Sequence, residues 1–108
     1  MNQKPIYLDN ATFYIEKDKS LLLDVRTNVE FKTLNKIPNS TNVYIFDLLK
    51  DPTRYLPDKD QLIITLCNGG NRSSETASEL RQLGYQNAYV LTTGIYGYYR
   101  WEEQTTKK

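Results

Sequence analysis

Residues 62–84 read LIITLCNGGNRSSETASELRQLG and join an apolar run, a glycine-containing loop and a helical pattern. The run at 62–67 is almost continuously apolar, which is typical of a parallel strand covered on both faces of its sheet. Beyond the loop, small and apolar residues recur at helical spacing, at Thr76, Ala77, Leu80 and Leu83. Gly84 then provides the left-handed residue that ends many helices. The stretch therefore predicts a strand, a loop and a helix that begins near Ser73.

The same alternation extends over the rest of the chain. Further buried strands are predicted for LLLDV at 21–25 and AYVL at 88–91, with shorter ones for PIYL near the N-terminus and NVYI at 42–45. Helices are predicted at 11–17 with Asp9 or Asn10 as cap, at 29–34, at 46–50, and from about 94 to 101. This order predicts an α/β fold class, a three-layer α/β/α sandwich around a central, mostly parallel sheet.

Length and composition indicate a single domain spanning residues 1–108, with a short polar C-terminal tail from about residue 103. With 39% hydrophobic and 25% charged residues, the chain is expected to be globular and soluble. A formal net charge of +1 argues against a nucleic-acid partner. We also expect no membrane span and no signal peptide, since no segment carries the required apolar run. Together with the single cysteine, this favours a reducing, cytoplasmic location.

The chain contains one cysteine, Cys67, and no histidine. A Cys-His pair, a Ser-His-Asp triad and a histidine metal site are therefore excluded, and one thiol argues against a zinc site. We expect neither a metal nor another cofactor. Any activation of the Cys67 thiol has to come from backbone dipoles and from cations.

The loop after Cys67 has the composition of an anion-binding nest. In parallel sheets, ligands bind at the carboxyl ends of the strands, which is where Cys67 lies. Gly69, Gly70 and Asn71 all tolerate positive φ, so the loop amides are expected to turn toward the sulfur. The alternative is that Cys67 is a small buried residue that merely ends a strand. A packing cysteine would need no such cradle, so the sequence favours a reactive thiol.

The helix after the loop and Arg72 are the other predicted sources of positive potential. Ser73 or Ser74 is expected to cap this helix, whose N-terminus then points toward the sulfur. Arg72, at the far end of the loop, is interpreted as a pocket cation, with an ordinary surface charge as the alternative. Helix N-termini and nearby cations lower cysteine pKa values to roughly 3.5–7.5. We therefore expect a reactive thiolate at neutral pH.

Several motifs, in order, resemble the rhodanese family of sulfurtransferases in its single-domain form. The stretch at 67–72 followed by Ser73 resembles that family's six-residue catalytic loop, which begins with cysteine. DVRTNVEF at 24–31 resembles its Asp-Val-Arg…Glu-Phe/Tyr signature. Ile37-Pro38, with Asn42 beyond, is similar to its Ile-Pro-Gly-Ala-x-Asn stretch. GYQNAYVLTTGIYGY at 84–98 is similar to its last strand and Gly-Gly-Ile turn.

The chain also departs from the family's pattern at identifiable positions. Asn35-Lys36 stands in place of Gly-His, and Asn39-Ser40 in place of Gly-Ala. Since Asn is the ordinary residue that best replaces glycine at positive φ, Asn35 and Asn39 are expected to preserve those turns. Thr93 replaces the first glycine of the pair, and Tyr98 occupies the usual tryptophan position. These changes affect the pocket rim, so substrate preference transfers less well than the fold.

The resemblance implies a sulfurtransferase that works in two steps without a cofactor. Cys67 would take a sulfur from a small anionic donor, thiosulfate or a persulfide, and pass it from a Cys67 persulfide to a thiol, to cyanide or to a protein acceptor. The amides of the loop would hold the negative charge; these residues are Asn68, Gly69, Gly70, Asn71 and Arg72. Arg72 would also attract the donor. Ser73, Asp24 and Arg26 are expected to support the site, with Arg26 and Glu30 as an ion pair at its floor.

Two other functions remain open from the sequence. Phosphatases and arsenate reductases use Cys-x5-Arg, whereas only four residues separate Cys67 from Arg72, so a phosphate is expected to fit poorly. The second alternative is a non-catalytic module of the same fold that relays sulfur, senses oxidants or binds a partner. Measuring thiosulfate kinetics beside sulfur transfer to an acceptor distinguishes these functions.

Overall fold

The computed structural model describes residues 6–106, and within them one parallel sheet forms the centre of the molecule. Its strands are β1 (Tyr7–Leu8), β2 (Leu21–Asp24), β3 (Thr41–Asn42), β4 (Ile63–Leu66) and β5 (Ala88–Leu91), arranged in the order β1-β5-β4-β2-β3. The helices are α1 (Asn10–Glu16), α2 (Asn28–Thr33), α3 (Ile45–Lys50), α4 (Pro52–Tyr55), α5 (Asn71–Gln82) and α6 (Gly94–Thr106). A 3-10 turn at Lys17–Lys19 continues α1.

The sheet is covered on both faces, which confirms the predicted three-layer α/β/α sandwich. On one face, Ile63 of β4 packs in a core with Leu48 of α3 and Leu80 of α5. On the other face, Ile64 packs with Phe13 of α1 and with side chains of α6. Successive residues of β4 thus enter opposite cores, and all four are buried. This explains why the strand reads as a continuous apolar run rather than an alternating one.

Most element boundaries agree with the sequence predictions, and the exceptions have local causes. The cap of α1 is Asp9, whose carboxylate accepts a hydrogen bond from the Thr12 amide at 2.8 Å. The predicted strand at 42–45 is wrong beyond Asn42, because the Ile45 amide bonds to the Val25 carbonyl and Ile45 begins α3. Part of the predicted PIYL strand forms β1, while Pro5 lies outside the described residues.

The last helix begins at Gly94, as predicted, but continues beyond residue 101 to Thr106. Residues 103–106 are therefore helical rather than an irregular tail, and the two terminal lysines lie outside the described residues. The Thr106 hydroxyl donates to the Glu102 carbonyl at 2.9 Å, within the last turn. In the part of the chain that the structure covers, no helix has the length and apolar character needed to cross a membrane.

Two predicted turns are confirmed, and a third is not. Gly84 ends α5 with φ 102°, and the next amide, that of Tyr85, bonds back to the Leu80 carbonyl at 3.0 Å. Asn39 has φ 67°, so it does replace glycine in a left-handed turn. Asn35 does not adopt positive φ, so no left-handed turn exists there to be preserved.

Candidate active site

Cys67 follows β4 directly, and its sulfur lies inside the loop that leads to α5. The Gly70 amide donates to Cys67 Sγ at 3.1 Å, and the Ser73 amide does so at 3.4 Å. Only 2% of the Cys67 surface is exposed. Of the loop amides predicted to face the sulfur, that of Gly70 does so, and the second donor is the Ser73 amide of the following helix. Two backbone N–H groups thus donate hydrogen bonds to the one thiol of the chain.

Gly70 is the residue that makes this cradle possible. It has φ 104° and forms the N-cap of α5. A Cβ atom at this position would lie 2.6 Å from the Thr92 carbonyl oxygen, so a side chain has neither the space nor the backbone conformation it needs. Gly69 and Asn71, which also tolerate positive φ, do not adopt it, and the loop reverses at Gly70 alone.

Helix α5 begins at Asn71, two residues earlier than predicted, so neither Ser73 nor Ser74 is its cap. Ser73 instead lies in the first turn, where its amide has no partner within the helix and is free to donate to the sulfur. Its buried hydroxyl donates to the Gly70 carbonyl at 3.1 Å and lies 3.3 Å from Cys67 Sγ. Ser73 therefore contacts the sulfur through both its backbone and its side chain.

The N-terminus of α6 holds the loop from one side. The Ile95 amide donates to the Cys67 carbonyl at 2.9 Å, and the Tyr96 amide donates to the Asn68 carbonyl at 3.3 Å. Gly94 has φ 72°, and a methyl group there would overlap the Asn68 carbonyl. The loop carbonyls are thereby bonded to α6, while amides of the loop and of α5 point at the sulfur. The sequence indicated the Gly94 turn, but not this contact.

A buried ion pair lies at the end of β2, next to the loop. Arg26 donates to the Asp24 carboxylate through Nε at 3.0 Å and Nη2 at 2.8 Å, and both side chains have 0% exposure. The expected pair between Arg26 and Glu30 is wrong. The Asp24 carboxylate also accepts from the Arg26 backbone amide at 3.0 Å, so the bend after β2 brings Asp24 against Arg26.

Glu30 pairs with Arg72 instead, and this pair lies at the loop rim with side-chain exposures of 26% and 33%. Arg72 donates through both terminal nitrogens, at 2.7 and 2.9 Å. The Arg72 hydrogen bonds lower the pKa of Glu30 to about 2, against the effect of burial and with help from the Thr27 amide. The hydrogen bond to Glu30 correspondingly raises the pKa of Arg72. Arg72 is therefore a compensated charge rather than a cation free to bind a donor.

The Asn68 side chain joins the two ion pairs. Its Oδ1 accepts from Arg26 Nη1 at 2.8 Å, and its Nδ2 donates to Glu30 Oε2 at 3.1 Å. Asp24, Arg26, Asn68, Glu30 and Arg72 thus form one connected chain of hydrogen bonds, called the loop network below. The sequence predicted a role only for the backbone amide of Asn68. It did not reveal the role of the side chain, because the side-chain partners are 38 and 42 residues away.

No group of three or more potential metal ligands occurs within residues 6–106. What the geometry supplies is a single, nearly buried sulfur faced by backbone amides at the carboxyl end of a parallel sheet. This is an α/β domain whose single thiol is held by backbone hydrogen bonds rather than by a basic side chain.

The chain belongs to the rhodanese-like domain family, whose family model matches residues 11–100. It is 34% identical over 89 residues to a tRNA uridine(34) hydroxylase of Legionella pneumophila, a match that covers 79% of this chain and 35% of the relative. It is 34% identical over 90 residues to the adenylyltransferase and sulfurtransferase UBA4 of Candida albicans, covering 73% of this chain and 19% of that protein. The chain thus spans about a third or less of the length of these curated relatives.

A similar solved structure is that of a rhodanese-related protein from Thermoplasma volcanium. The two superpose with a TM-score of 0.76 at 28% identity, covering 87% of this chain and 90% of the other. Nearly the whole of that protein is thus matched, in contrast to the longer relatives. Family and fold together support an enzyme of the sulfurtransferase type.

Proposed function

We propose that the protein transfers a sulfane sulfur from a small anionic donor to a thiophilic acceptor through a persulfide on Cys67. The observation that carries the proposal is the pair of amide hydrogen bonds from Gly70 and Ser73 to Cys67 Sγ. Cys67 Sγ carries the negative charge of the attacking thiolate in the first step and of the leaving thiolate in the second. Amides that bond to Sγ therefore assist both steps of the reaction.

In the first step, the Cys67 thiolate attacks the outer sulfur of thiosulfate. An S–S bond forms to Cys67, the S–S bond of thiosulfate breaks, and sulfite leaves with the electron pair. In the second step, cyanide or a thiolate attacks the outer sulfur of the persulfide. The Cys67 thiolate then leaves, and the acceptor carries the sulfur away as thiocyanate or as a new persulfide. Neither step needs a metal, an external oxidant or a general base.

The loop geometry favours sulfur over phosphate as the transferred group. Four residues separate Cys67 from Arg72, and the Arg72 guanidinium is held by both oxygens of Glu30. A phosphate ester would need several donors around three oxygens, including an arginine that is free to bind them. A single sulfur needs only the two amides that face Cys67. A reducing compartment such as the cytoplasm would keep the lone thiol available for this reaction.

Intact-mass measurement after incubation with thiosulfate tests the proposal. We expect a gain of one sulfur atom, its loss on addition of cyanide with formation of thiocyanate, and no gain in Cys67→Ser. The matched control is Ser78→Ala, which changes an exposed serine of α5 and is expected to leave the gain intact. A wild-type protein that gains no sulfur, or that hydrolyses a phosphate monoester at a faster rate than it forms thiocyanate, would overturn the proposal.

The alternative is a relay module that takes sulfur from a protein persulfide rather than from thiosulfate. It is supported by the likeness to the adenylyltransferase and sulfurtransferase UBA4, a longer protein of which this chain covers 19%. Loading the protein with a protein-bound persulfide instead of thiosulfate distinguishes the two. A mass gain from the protein donor alone would assign the relay, and a mass gain from thiosulfate would assign the small-molecule enzyme.

A further inference from the structure

A groove with a volume of about 580 Å³ opens beside the cysteine loop. Asn68 and Gly69 of the loop form one end, and Tyr96, Arg100 and Trp101 of α6 line its length. Thiosulfate and cyanide contain only a few atoms and would occupy a small part of this space. Sites that hold small organic molecules are typically about 300–1,000 Å³. The groove therefore has the size of an organic ligand that ends at the loop.

Arg100 gives the groove a positive charge. Its side chain is exposed, and within residues 6–106 no described hydrogen bond or ion pair involves it. Among the described residues that line the groove there is no aspartate or glutamate. Arg72, by contrast, is bonded to both carboxylate oxygens of Glu30. Within residues 6–106, Arg100 is thus a cation beside the loop with no described carboxylate partner, and the sequence suggested no role for it.

The position of Arg100 sets the length of a ligand that could reach both the guanidinium and the sulfur. Helix α6 starts against the loop, where the Ile95 amide bonds to the Cys67 carbonyl. Arg100 lies five residues further on, or about 7.5 Å along the helix axis. Helical side chains lean toward the N-terminus of their helix, which brings the guanidinium back toward the loop. A ligand of a few carbon atoms spans this axial distance between the loop contact at Ile95 and Arg100.

The aromatic residues of the groove supply apolar walls for those carbon atoms. Tyr96 is 43% exposed and therefore offers part of its ring to a ligand. Trp101 is half-buried, and its ring is fixed by packing against Tyr98 with a centroid separation of 5.7 Å. An ordered aromatic surface next to an exposed arginine suits a short organic acid, with its methylene groups on the rings and its carboxylate at the cation.

We propose that this groove binds the sulfur acceptor, an organic thiol that carries a carboxylate, and that Arg100 determines specificity by binding that carboxylate. The inference rests on the proposed function. The acceptor thiolate attacks the outer sulfur of the Cys67 persulfide. A new S–S bond forms to the acceptor, the S–S bond to Cys67 breaks, and the Cys67 thiolate leaves with the electron pair. The acceptor departs as its own persulfide, and no external oxidant or reductant is consumed.

The experiment compares 3-mercaptopropionate with its neutral analogue 3-mercaptopropionamide as acceptors for the persulfide form of the protein. We expect wild type to have a lower KM for the acid, and Arg100→Gln to raise the KM for the acid about tenfold while leaving that for the amide nearly unchanged. The matched control is Arg54→Gln. Arg54 is an exposed arginine of α4, and Leu56, just beyond α4, packs in the core on the opposite face of the sheet from α6.

The outcomes separate this inference from the proposed function. Intact mass first establishes that wild type and both variants form the persulfide with thiosulfate. Failure of every protein to gain sulfur would overturn the proposed function itself. Persulfide formation with equal KM values for acid and amide in wild type would overturn the groove proposal alone. The groove proposal would also be overturned if Arg54→Gln changed the KM for the acid as much as Arg100→Gln does.

Discussion

The cysteine loop is held from two sides, and the two sides depend on different interactions. On the side of β2 and α2, side chains of the loop network hold the loop. Arg26 donates to the side chain of Asn68, and Glu30 accepts from Arg72. Toward α6, backbone groups hold it, with two amides bonded to the carbonyls of Cys67 and Asn68 and with Gly94 in close contact. One side therefore depends on charge and the other on the absence of a side chain.

The two ion pairs on the charged side of the loop differ in burial. Asp24 and Arg26 have 0% exposure, whereas Glu30 and Arg72 keep 26% and 33%. A buried charge that loses its partner is costly, while an exposed pair contributes little to stability because water replaces it. Asp24 and Arg26 are thus expected to matter for folding, and Glu30 and Arg72 for the local arrangement and charge of the loop. Substitutions that change one side at a time separate these contributions.

The largest effect is expected for Asp24→Asn, which leaves the Arg26 guanidinium buried without a counter-charge. Breaking a buried pair in this way costs about 3–5 kcal/mol, a large fraction of the stability of a domain of this size. Urea denaturation followed by far-UV circular dichroism measures the loss. Glu30→Gln is the matched control, because it makes the same carboxylate-to-amide change at the half-buried pair of Glu30 and Arg72. An equal loss in the two variants would contradict the distinction between the pairs.

The next effect is expected for Gly94→Ala on the backbone side. The added methyl group overlaps the Asn68 carbonyl, and the residue sits at φ 72°, which an alanine rarely adopts. Strain of this kind costs about 1–3 kcal/mol and displaces the loop, so thiocyanate formation should fall with stability. Gly69→Ala is the control for stability, since nothing lies within 4 Å of its added methyl. If Gly69→Ala lowered the free energy of unfolding as much, the close contact of Gly94 with Asn68 would not be the cause of the loss.

The fold could be predicted because its determinants are local in sequence. Side chains of the run at 62–67 pack alternately in the cores on the two faces of the sheet. A continuous apolar run is typical of a strand buried in this way. Gly84 ends α5 as its position in the helical pattern predicts. The strand predicted at 42–45 failed because a contact made elsewhere, from the Ile45 amide to the Val25 carbonyl, starts α3 at that point. The β-branched and aromatic residues at 43–45 favour a strand, and they do not reveal such a contact.

The site could be predicted in its backbone but not in its side-chain pairings. Glycines around a cysteine indicate an amide cradle, although which glycine reverses the chain depends on the Thr92 carbonyl behind Gly70. The partner of each arginine depends on strand order and helix placement. Arg26 is four residues from Glu30 and two from Asp24, so spacing alone allows either pair. Sequence spacing therefore could not show that Arg72 is compensated and Arg100 is not.

A smaller effect is expected for Glu30→Gln, this time on the binding of the donor. The neutral amide no longer compensates Arg72, which becomes available to a small anion beside the sulfur. An exposed charge interaction of about 0.2–1 kcal/mol corresponds to a change of up to about fivefold, so the KM for thiosulfate should fall by at most that factor. Steady-state thiocyanate formation measures it, and salt should reduce the gain. An unchanged KM would show that Arg72 does not face the donor even when freed.

The smallest effect is a pH dependence of stability that comes from the half-buried pair of Glu30 and Arg72. The Arg72 hydrogen bonds lower the pKa of Glu30 from its usual 4.5 to about 2 in the folded protein. Because the folded pKa is the lower one, the pair stabilises the fold fully above pH 4.5, and this contribution is lost as pH falls toward 2. The free energy of unfolding of wild type minus that of Glu30→Gln, measured by urea denaturation at decreasing pH, should shrink over that window. Arg72→Gln should abolish most of the trend, and a trend that survives this substitution would assign it to other carboxylates.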